Sequence, residues 1–386
     1  VRVLFVTHSF PRWSGDVAGA FILHLARALA GAGVEVRVLA PSAPDLAATE
    51  TIDGITVQRF RYASDDRETL AYQGTMAEQV AGSLGGKLAM LGMLRHGRRA
   101  VGELSATFAP DVIHAHWWFP SGLIAAAAHH RAPLVTTLHG SDVRLARKTM
   151  WAPRLLRYVV TRSAAVTAVS SWLAAEARVL APGPGTSVAV EPMAVNVDLF
   201  TPGGERSAAR FLFVGRLNAQ KGLSFLLGAL AASASGASLD VVGDGPDRET
   251  LDVRARTLGV DSRVTYHGAM PQDRLASFYR AATAVIIPGE DEGLGLVAVE
   301  ASLCGTPVIA LRSGGVTDFV THGETGILTE PGDTAALAAA MDALLARDDR
   351  GAELGHAARV AALARFSPGV VAARYKAIYD GVTHVS

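Results

Sequence analysis

Ile287-Pro288-Gly289-Glu290-Asp291-Glu292-Gly293-Leu294-Gly295-Leu296-Val297-Ala298-Val299-Glu300-Ala301 is the stretch that decides the fold, together with its continuation Ser302-Leu303-Cys304-Gly305-Thr306-Pro307-Val308-Ile309-Ala310. The apolar run from Ala284 to Ile287 predicts a buried strand, and the acidic, glycine-rich segment after it a loop. From Leu296 the pattern predicts a helix that stops at Gly305 before a second buried strand. Strand, loop, helix and strand in that order make one unit of a parallel sheet, and its loop sits at the strand's carboxyl end, where open α/β sheets bind ligands. Behind Gly293 and Gly295, the helix N-terminus offers the unpaired amides near Leu296 and Val297 to an anion. Glu292 in the loop and Glu300 about one turn into the helix bracket that position, both facing the crevice. Carboxylates accept hydrogen bonds in pairs and suit vicinal hydroxyls. The combination predicts a ligand that carries sugars on a phosphate.

Glu292 to Glu300 also matches the E-x7-E signature of retaining glycosyltransferases of the GT-B fold, in the context G-E-x-F-G-x-x-x-x-E-A-x-x-x-G-x-P-V, and the chain resembles glycosyltransferase family 4. It departs at Leu294, where most members have Phe. The resemblance implies an α/β architecture of two Rossmann-like, doubly wound parallel-sheet domains facing each other across a cleft. The implied domains are an acceptor-binding one over 1–203, rejoined by a closing helix at about 369–386, and a nucleotide-sugar-binding one over 204–368. It further implies transfer of a hexosyl unit, with retention of configuration, from a nucleoside-diphosphate sugar (UDP- or GDP-linked) to an acceptor hydroxyl. Polysaccharide, glycolipid, lipid-linked and phosphorylated small-molecule acceptors all stay open. A sugar-nucleotide epimerase of the same fold and a catalytically silent nucleotide-binding subunit are the alternatives.

The 386 residues, 49% of them hydrophobic, suffice for two cores of ordinary size. No apolar run approaches the ~20 residues of a membrane span. The single cysteine, Cys304, has small apolar neighbours and fits a reducing cytoplasm. Val1 to Val6 runs into polar Thr7-His8-Ser9 and reads as a strand rather than a signal peptide. Net charge is zero but uneven: residues 84–162 hold 11 Lys and Arg against 3 Asp and Glu, which favours an anionic partner for the first half. No nucleic acid is expected.

Arg2 to Thr7, the helix Phe21 to Ala30 and Val34 to Ala40 make a βαβ unit. Its Gly15-Asp16-Val17-Ala18-Gly19 loop sits where a phosphate or acceptor is met. Asp16 would repel phosphate and is assigned to acceptor hydroxyls. Leu84, Leu88, Leu91 and Val101 fall on roughly one face of a helix with Lys87, Arg95, Arg98 and Arg99 interleaved. Two readings stand: a solvated surface helix, or a basic amphipathic one that rests on anionic lipid at the inner face of a membrane or grips a phosphorylated acceptor. Residues 144–157, with Arg144, Arg147, Lys148, Arg154 and Arg157 around Trp151, form a second basic cluster. His116 and His139 end two buried strands and project into one crevice. The family pattern implies that His116 lies beside the transferred sugar and that the segment His139 to Asp142 lies near donor and acceptor. Pro202 to Ser207 reads as the linker.

The second half restarts with the strand Phe211 to Val214 and the basic loop Gly215 to Gly222. Arg216 offers phosphate a planar fork and Lys221 a point charge. Their match to the family's G-R-x-x-x-x-K-G implies that they hold the donor diphosphate. Likewise His267 and Gly268 are implied to lie along the base. Glu290-Asp291-Glu292 has the composition of a Mg2+ site, but Arg216, Lys221 and the helix amides supply the positive field. No metal or cofactor is therefore expected.

Overall fold

A computed structural model describes residues 1–72, 76–183, 187–207 and 209–384. The chain divides into two units: Val1–Ala194 with Pro368–Ser386 (unit 1), and Val195–Ser367 (unit 2).

Unit 1 runs β1 (Arg2–Val6), α1 (Ala20–Gly31), β2 (Glu35–Pro41), β3 (Thr49–Ile52), β4 (Ile55–Phe60), α2 (Met76–Gly82), α3 (Leu84–Phe108), β5 (Val112–His116), α4 (Leu123–Ala127), β6 (Leu134–Leu138), α5 (Ser141–Lys148), α6 (Ala152–Arg162), β7 (Ala165–Ala168), α7 (Ser171–Leu180) and β8 (Val188–Val190). Its strands lie in the order β3-β4-β2-β1-β5-β6-β7-β8. Every pairing is parallel except β3 with β4. That hairpin, absent from the sequence reading, turns on Asp53 and Gly54, both at positive φ (47° and 85°). Asp-Gly suits such a two-residue turn, so the signal was present. The middle of the sheet is the most buried part, with β5 and β6 buried at every position and β1 and β7 at all but the first, as parallel strands covered on their faces require.

Unit 2 runs β9 (Arg210–Val214), α8 (Leu223–Ala232), β10 (Ser238–Val242), α9 (Arg248–Thr257), β11 (Val264–Gly268), α10 (Gln272–Ala281), β12 (Ala284–Ile287), α11 (Leu296–Leu303), β13 (Val308–Leu311), β14 (Ile327–Thr329), α12 (Thr334–Ala346) and α13 (Ala352–Phe366). Its sheet is parallel throughout, in the order β11-β10-β9-β12-β13-β14. The last helix, α14 (Pro368–Thr383), belongs to unit 1 and buries Tyr375 and Tyr379 there.

Both sheets reverse their winding once, and that switch point opens the crevice where doubly wound sheets bind ligands. In unit 1 it falls between β1 and β5, in unit 2 between β9 and β12.

Two expectations need correction. Pro202 to Ser207 are not a free linker: the Arg206 guanidinium donates to the Gly305 carbonyl and the Ser207 amide to the Ala281 carbonyl at 2.8 Å, and unit 2 already begins at Val195. Val101 does not share a face with the three leucines, because it is buried while Leu84, Leu88 and Leu91 are exposed.

Candidate active site

In unit 2 the loops after β9 and β12 meet backbone to backbone. A Cβ on Gly222 (φ +71°) would lie 2.1 Å from the Pro288 carbonyl oxygen, so only glycine allows the approach. The contact delivers Lys221 to Glu292: Nζ stands 2.6 Å from Oε1, both groups partly shielded from water. The lysine's own amide donates to Asn218 Oδ1 at 3.2 Å, and the Gly315 amide donates to the Glu292 carbonyl at 2.7 Å, so both backbones are fixed. Arg216 lies half-buried in the same loop, one residue after Gly215, whose amide donates to the Val242 carbonyl at 3.0 Å.

Beside the pair, Gly293 and buried Leu294 lead to Gly295, which caps α11 in the left-handed conformation (φ +77°). The amides of Leu296 and Val297 then open the helix without intrahelical acceptors. Glu300 behaves differently from Glu292. Its carboxylate is buried and accepts from Tyr279 Oη at 2.7 Å and Gln272 Nε2 at 3.2 Å, both on α10. Burial pushes Glu300 up to about 7, against the opposing pull of those two donors. The two carboxylates expected to face one crevice are thus divided: Glu292 engages the lysine, Glu300 is turned toward α10. His267 ends up tied to the sheet, with Nε2 2.8 Å from Asp240 Oδ1 and the ring edge-on to Phe278, while Gly268 closes β11 at φ +71°.

The site of unit 1 is aromatic. His116 is buried at the end of β5, with Nδ1 3.2 Å from His139 Nε2 and with Nε2 buried and unpartnered. Phe5 packs edge-on against it at 4.6 Å and His114 at 4.2 Å, and these two rings also touch each other at 5.1 Å. His139 is flanked by Trp117 and Phe21. Burial lowers His8 to about 4 and His114 to about 3. His116 and His139 also lie well below the ordinary imidazole range, by burial first and then by the neighbouring rings. All four are therefore neutral at pH 7. Trp117 follows His116 at φ +66°, a conformation that costs a non-glycine residue on the order of 1–3 kcal/mol and that the packing around it sustains.

The two aspartates assigned to acceptor hydroxyls are instead spent on the protein. Asp16 receives the Arg12 guanidinium (Nε at 2.7 Å, Nη2 at 3.1 Å) and the amides of Arg12 and Ala18. Burial works against its charge, but these donors outweigh it and hold its pKa below the usual range. Gly15 (φ +87°) turns this loop and Gly19 (φ +69°) ends it at the start of α1. Asp142 accepts from four backbone amides, those of Trp118, His139, Gly140 and Val143, and thereby fixes the loops carrying Trp117 and His139. Its pKa is nonetheless raised by burial.

Several supporting residues escaped sequence reasoning. His114 is held by Tyr379 Oη and Thr137 Oγ1, each at 2.7 Å, and no local pattern links positions 265 residues apart. Tyr279 and Gln272, which grip Glu300, carried no motif either. Arg59, fully buried, donates to the Pro11 carbonyl at 2.6 Å and to Tyr72 Oη at 2.8 Å, steadying the loop after β1. A lone arginine inside a strand pattern was its only trace.

With this geometry in place, the chain can be set beside known proteins. Residues 18–199 match Glycosyltransferase Family 4, and residues 203–361 match Glycosyl transferases group 1. The chain is similar to a D-inositol 3-phosphate glycosyltransferase of Xylanimonas cellulosilytica, 32% identical over 405 residues that cover 96% of this chain and 93% of the relative. Among solved structures it shares its fold with a sucrose-phosphate synthase from Thermosynechococcus elongatus (TM-score 0.83, 23% identity, 100% and 99% of the two chains covered). The same holds for Anabaena HepE in complex with UDP and glucose (TM-score 0.75, 21% identity, 98% and 99% covered).

Proposed function

The chain belongs to the group 1 glycosyl transferases, with a family 4 glycosyltransferase as its N-terminal half, and from that premise we propose that it moves a hexosyl unit, with retention of anomeric configuration, from a nucleoside-diphosphate sugar to an acceptor hydroxyl. The observation that carries this reading is the Lys221–Glu292 pair at the switch point of unit 2, beside Arg216 and the first amides of α11.

An arriving diphosphate competes with Glu292 for the lysine. Its charge is met by Lys221, Arg216 and the α11 amides, and Glu292 is released toward the hydroxyls of the sugar. Most negative charge gathers on the leaving phosphate in the transition state, so cations fixed there favour it over the bound donor. Glu300, held by Tyr279 and Gln272, offers the remaining lone pairs of its carboxylate to the ribose hydroxyls. The positive field comes from protein cations and amides, so the reaction proceeds without a metal.

In unit 1 the neutral His116 offers its unpartnered Nε2 to a sugar hydroxyl. A neutral ring suits this place, since an imidazolium would repel the positive charge that builds on the sugar carbon. The relative named for D-inositol 3-phosphate supports a small phosphorylated acceptor, and the complex of HepE with UDP and glucose supports a uridine donor.

The test is a thermal-shift panel of UDP, GDP, ADP and TDP and their sugars. It is followed by transfer to inositol phosphate and oligosaccharide acceptors, with the product anomer read by NMR. An α-linked product from an α-linked donor is expected. An inverted product, or consumption of donor without acceptor, would overturn the reading.

A further inference from the structure

Unit 1 and unit 2 differ in what they show to solvent. Of the eleven large hydrophobic side chains exposed among the described residues, only Val253 and Val360 belong to unit 2. Three of the others stand on α3: Leu84 is 74% exposed, Leu88 53% and Leu91 62%. They are not the residues that hold the helix down. Its opposite face does that with Met93, Val101, Leu104 and Phe108, and Gly92 brings it so close that a Cβ there would lie 2.2 Å from the Tyr62 carbonyl oxygen.

The spacing 84, 88, 91, 95, 98 continues the exposed stripe into Arg95 and Arg98, because steps of four and three residues keep to one side of a helix. Lys87 and Arg99 flank it. Glu103, the lone acid on α3, is already paired with Arg99 at 2.6 Å. Arg95, Arg98 and Arg99 also line a hollow with His129. A second exposed apolar pair, Met150 (92%) and Trp151 (47%), sits beside exposed Lys148, Arg154 and Arg157. Trp151 is edge-on to Phe119, which packs on the core that the inner face of α3 covers, so both patches belong to one helical layer.

We infer that unit 1 docks onto an anionic lipid surface through the outer stripe of α3, with Leu84, Leu88 and Leu91 entering the acyl boundary and Arg95, Arg98 and Arg99 binding lipid phosphates. A second copy of the chain fits worse, since two such stripes face to face leave their arginines without acids. No helix among the described residues is long and apolar enough to cross a membrane, so the attachment is peripheral. Basic side chains near an anionic surface and apolar side chains at its acyl boundary act together in this mode. The docking does not depend on the transfer reaction.

Cosedimentation of the full chain with phosphatidylcholine vesicles, with and without phosphatidylglycerol, tests it. Binding to the anionic vesicles alone is expected, weakening as salt is raised. Arg95→Gln/Arg98→Gln/Arg99→Gln should weaken it about 100-fold and Leu84→Ser/Leu88→Ser/Leu91→Ser at least about tenfold. Because Cys304 is buried, a Leu88→Cys variant takes an environment-sensitive fluorophore at one place. Its emission should shift to the blue on anionic vesicles only, a readout that survives if a triple variant misfolds. No vesicle binding at low salt, no shift at position 88, or a dimer in solution that the leucine substitutions dissolve would each overturn the proposal.

Discussion

The two units wind their sheets in the same way and place a site at the same topological point, yet the sites are electrostatic opposites. Around Lys221 and Glu292 the protein gathers full charges, glycine-edged backbone and open amides. Around His116 it gathers neutral rings, and burial drives the proton off every imidazole of the cluster. Topology therefore fixes where chemistry happens, and side-chain environment fixes its sign. One site presents fixed charges, the other keeps its side chains neutral.

The sharpest attempt to break this contrast is Lys221→Ala. Turnover should fall about 100- to 1,000-fold, as for other groups aimed at developing charge, with the melting temperature nearly unchanged because a partly exposed pair adds little stability. Lys221→Arg should recover part of the loss. Near-normal turnover of the alanine variant would show that unit 2 does not work by charge.

Acid should pull the units in opposite directions. Glu300 has its pKa raised by folding, so its contribution is fully present below about 4.5 and is lost as pH rises to about 7. This amounts to on the order of 3 kcal/mol. The imidazoles are lowered by folding, so theirs is present above about 6.5 and lost as pH falls. Hydrogen exchange at pH 5 and 7.5, corrected for intrinsic rates, should show β12 and α11 better protected at the lower pH and β1 and β5 better protected at the higher. Glu300→Gln should flatten the first trend alone. Parallel trends in both units would remove the contrast.

His116→Phe keeps the ring and deletes Nε2. We expect about a 10- to 100-fold lower kcat/KM, the cost of one buried hydrogen bond lost from the bound sugar. The wild-type pH profile should carry no inflection from this residue between pH 6 and 8. The smallest effect is expected from Asp16→Asn, with less than about a tenfold rise in acceptor KM and faster exchange confined to residues 9–19. A larger loss would mean that Asp16 reaches substrate after all.

What could be read from the chain followed the same division. The loops of unit 2 were legible because glycine, lysine and glutamate at set spacings announce a backbone that approaches an anion, and Lys221 and Glu292 do meet. The direction of a side chain was not. Glu300 lies where its helix was expected, but Tyr279 and Gln272 on another helix decide that it turns toward them. Asp16 was assigned to acceptor hydroxyls because its charge would repel phosphate, and the family pattern implied that Asp142 lies near donor and acceptor, whereas Arg12 and backbone amides hold both carboxylates. The spacing of Leu84, Leu88, Leu91 and Val101 put all four on one face, but Val101 is buried and the three leucines are exposed. Which side of a helix is the core depends on what packs there, and Gly92 against Tyr62 settles it.

Tyr379 reaches His114 from beyond unit 2, the whole of which intervenes between them in the chain. On a ribosome, the first-made sheet must therefore wait, its middle strand missing a buried partner, until α14 has been translated. A nascent chain arrested before α14 should hold a finished second body and an incomplete first one, the reverse of the order in which they were synthesised.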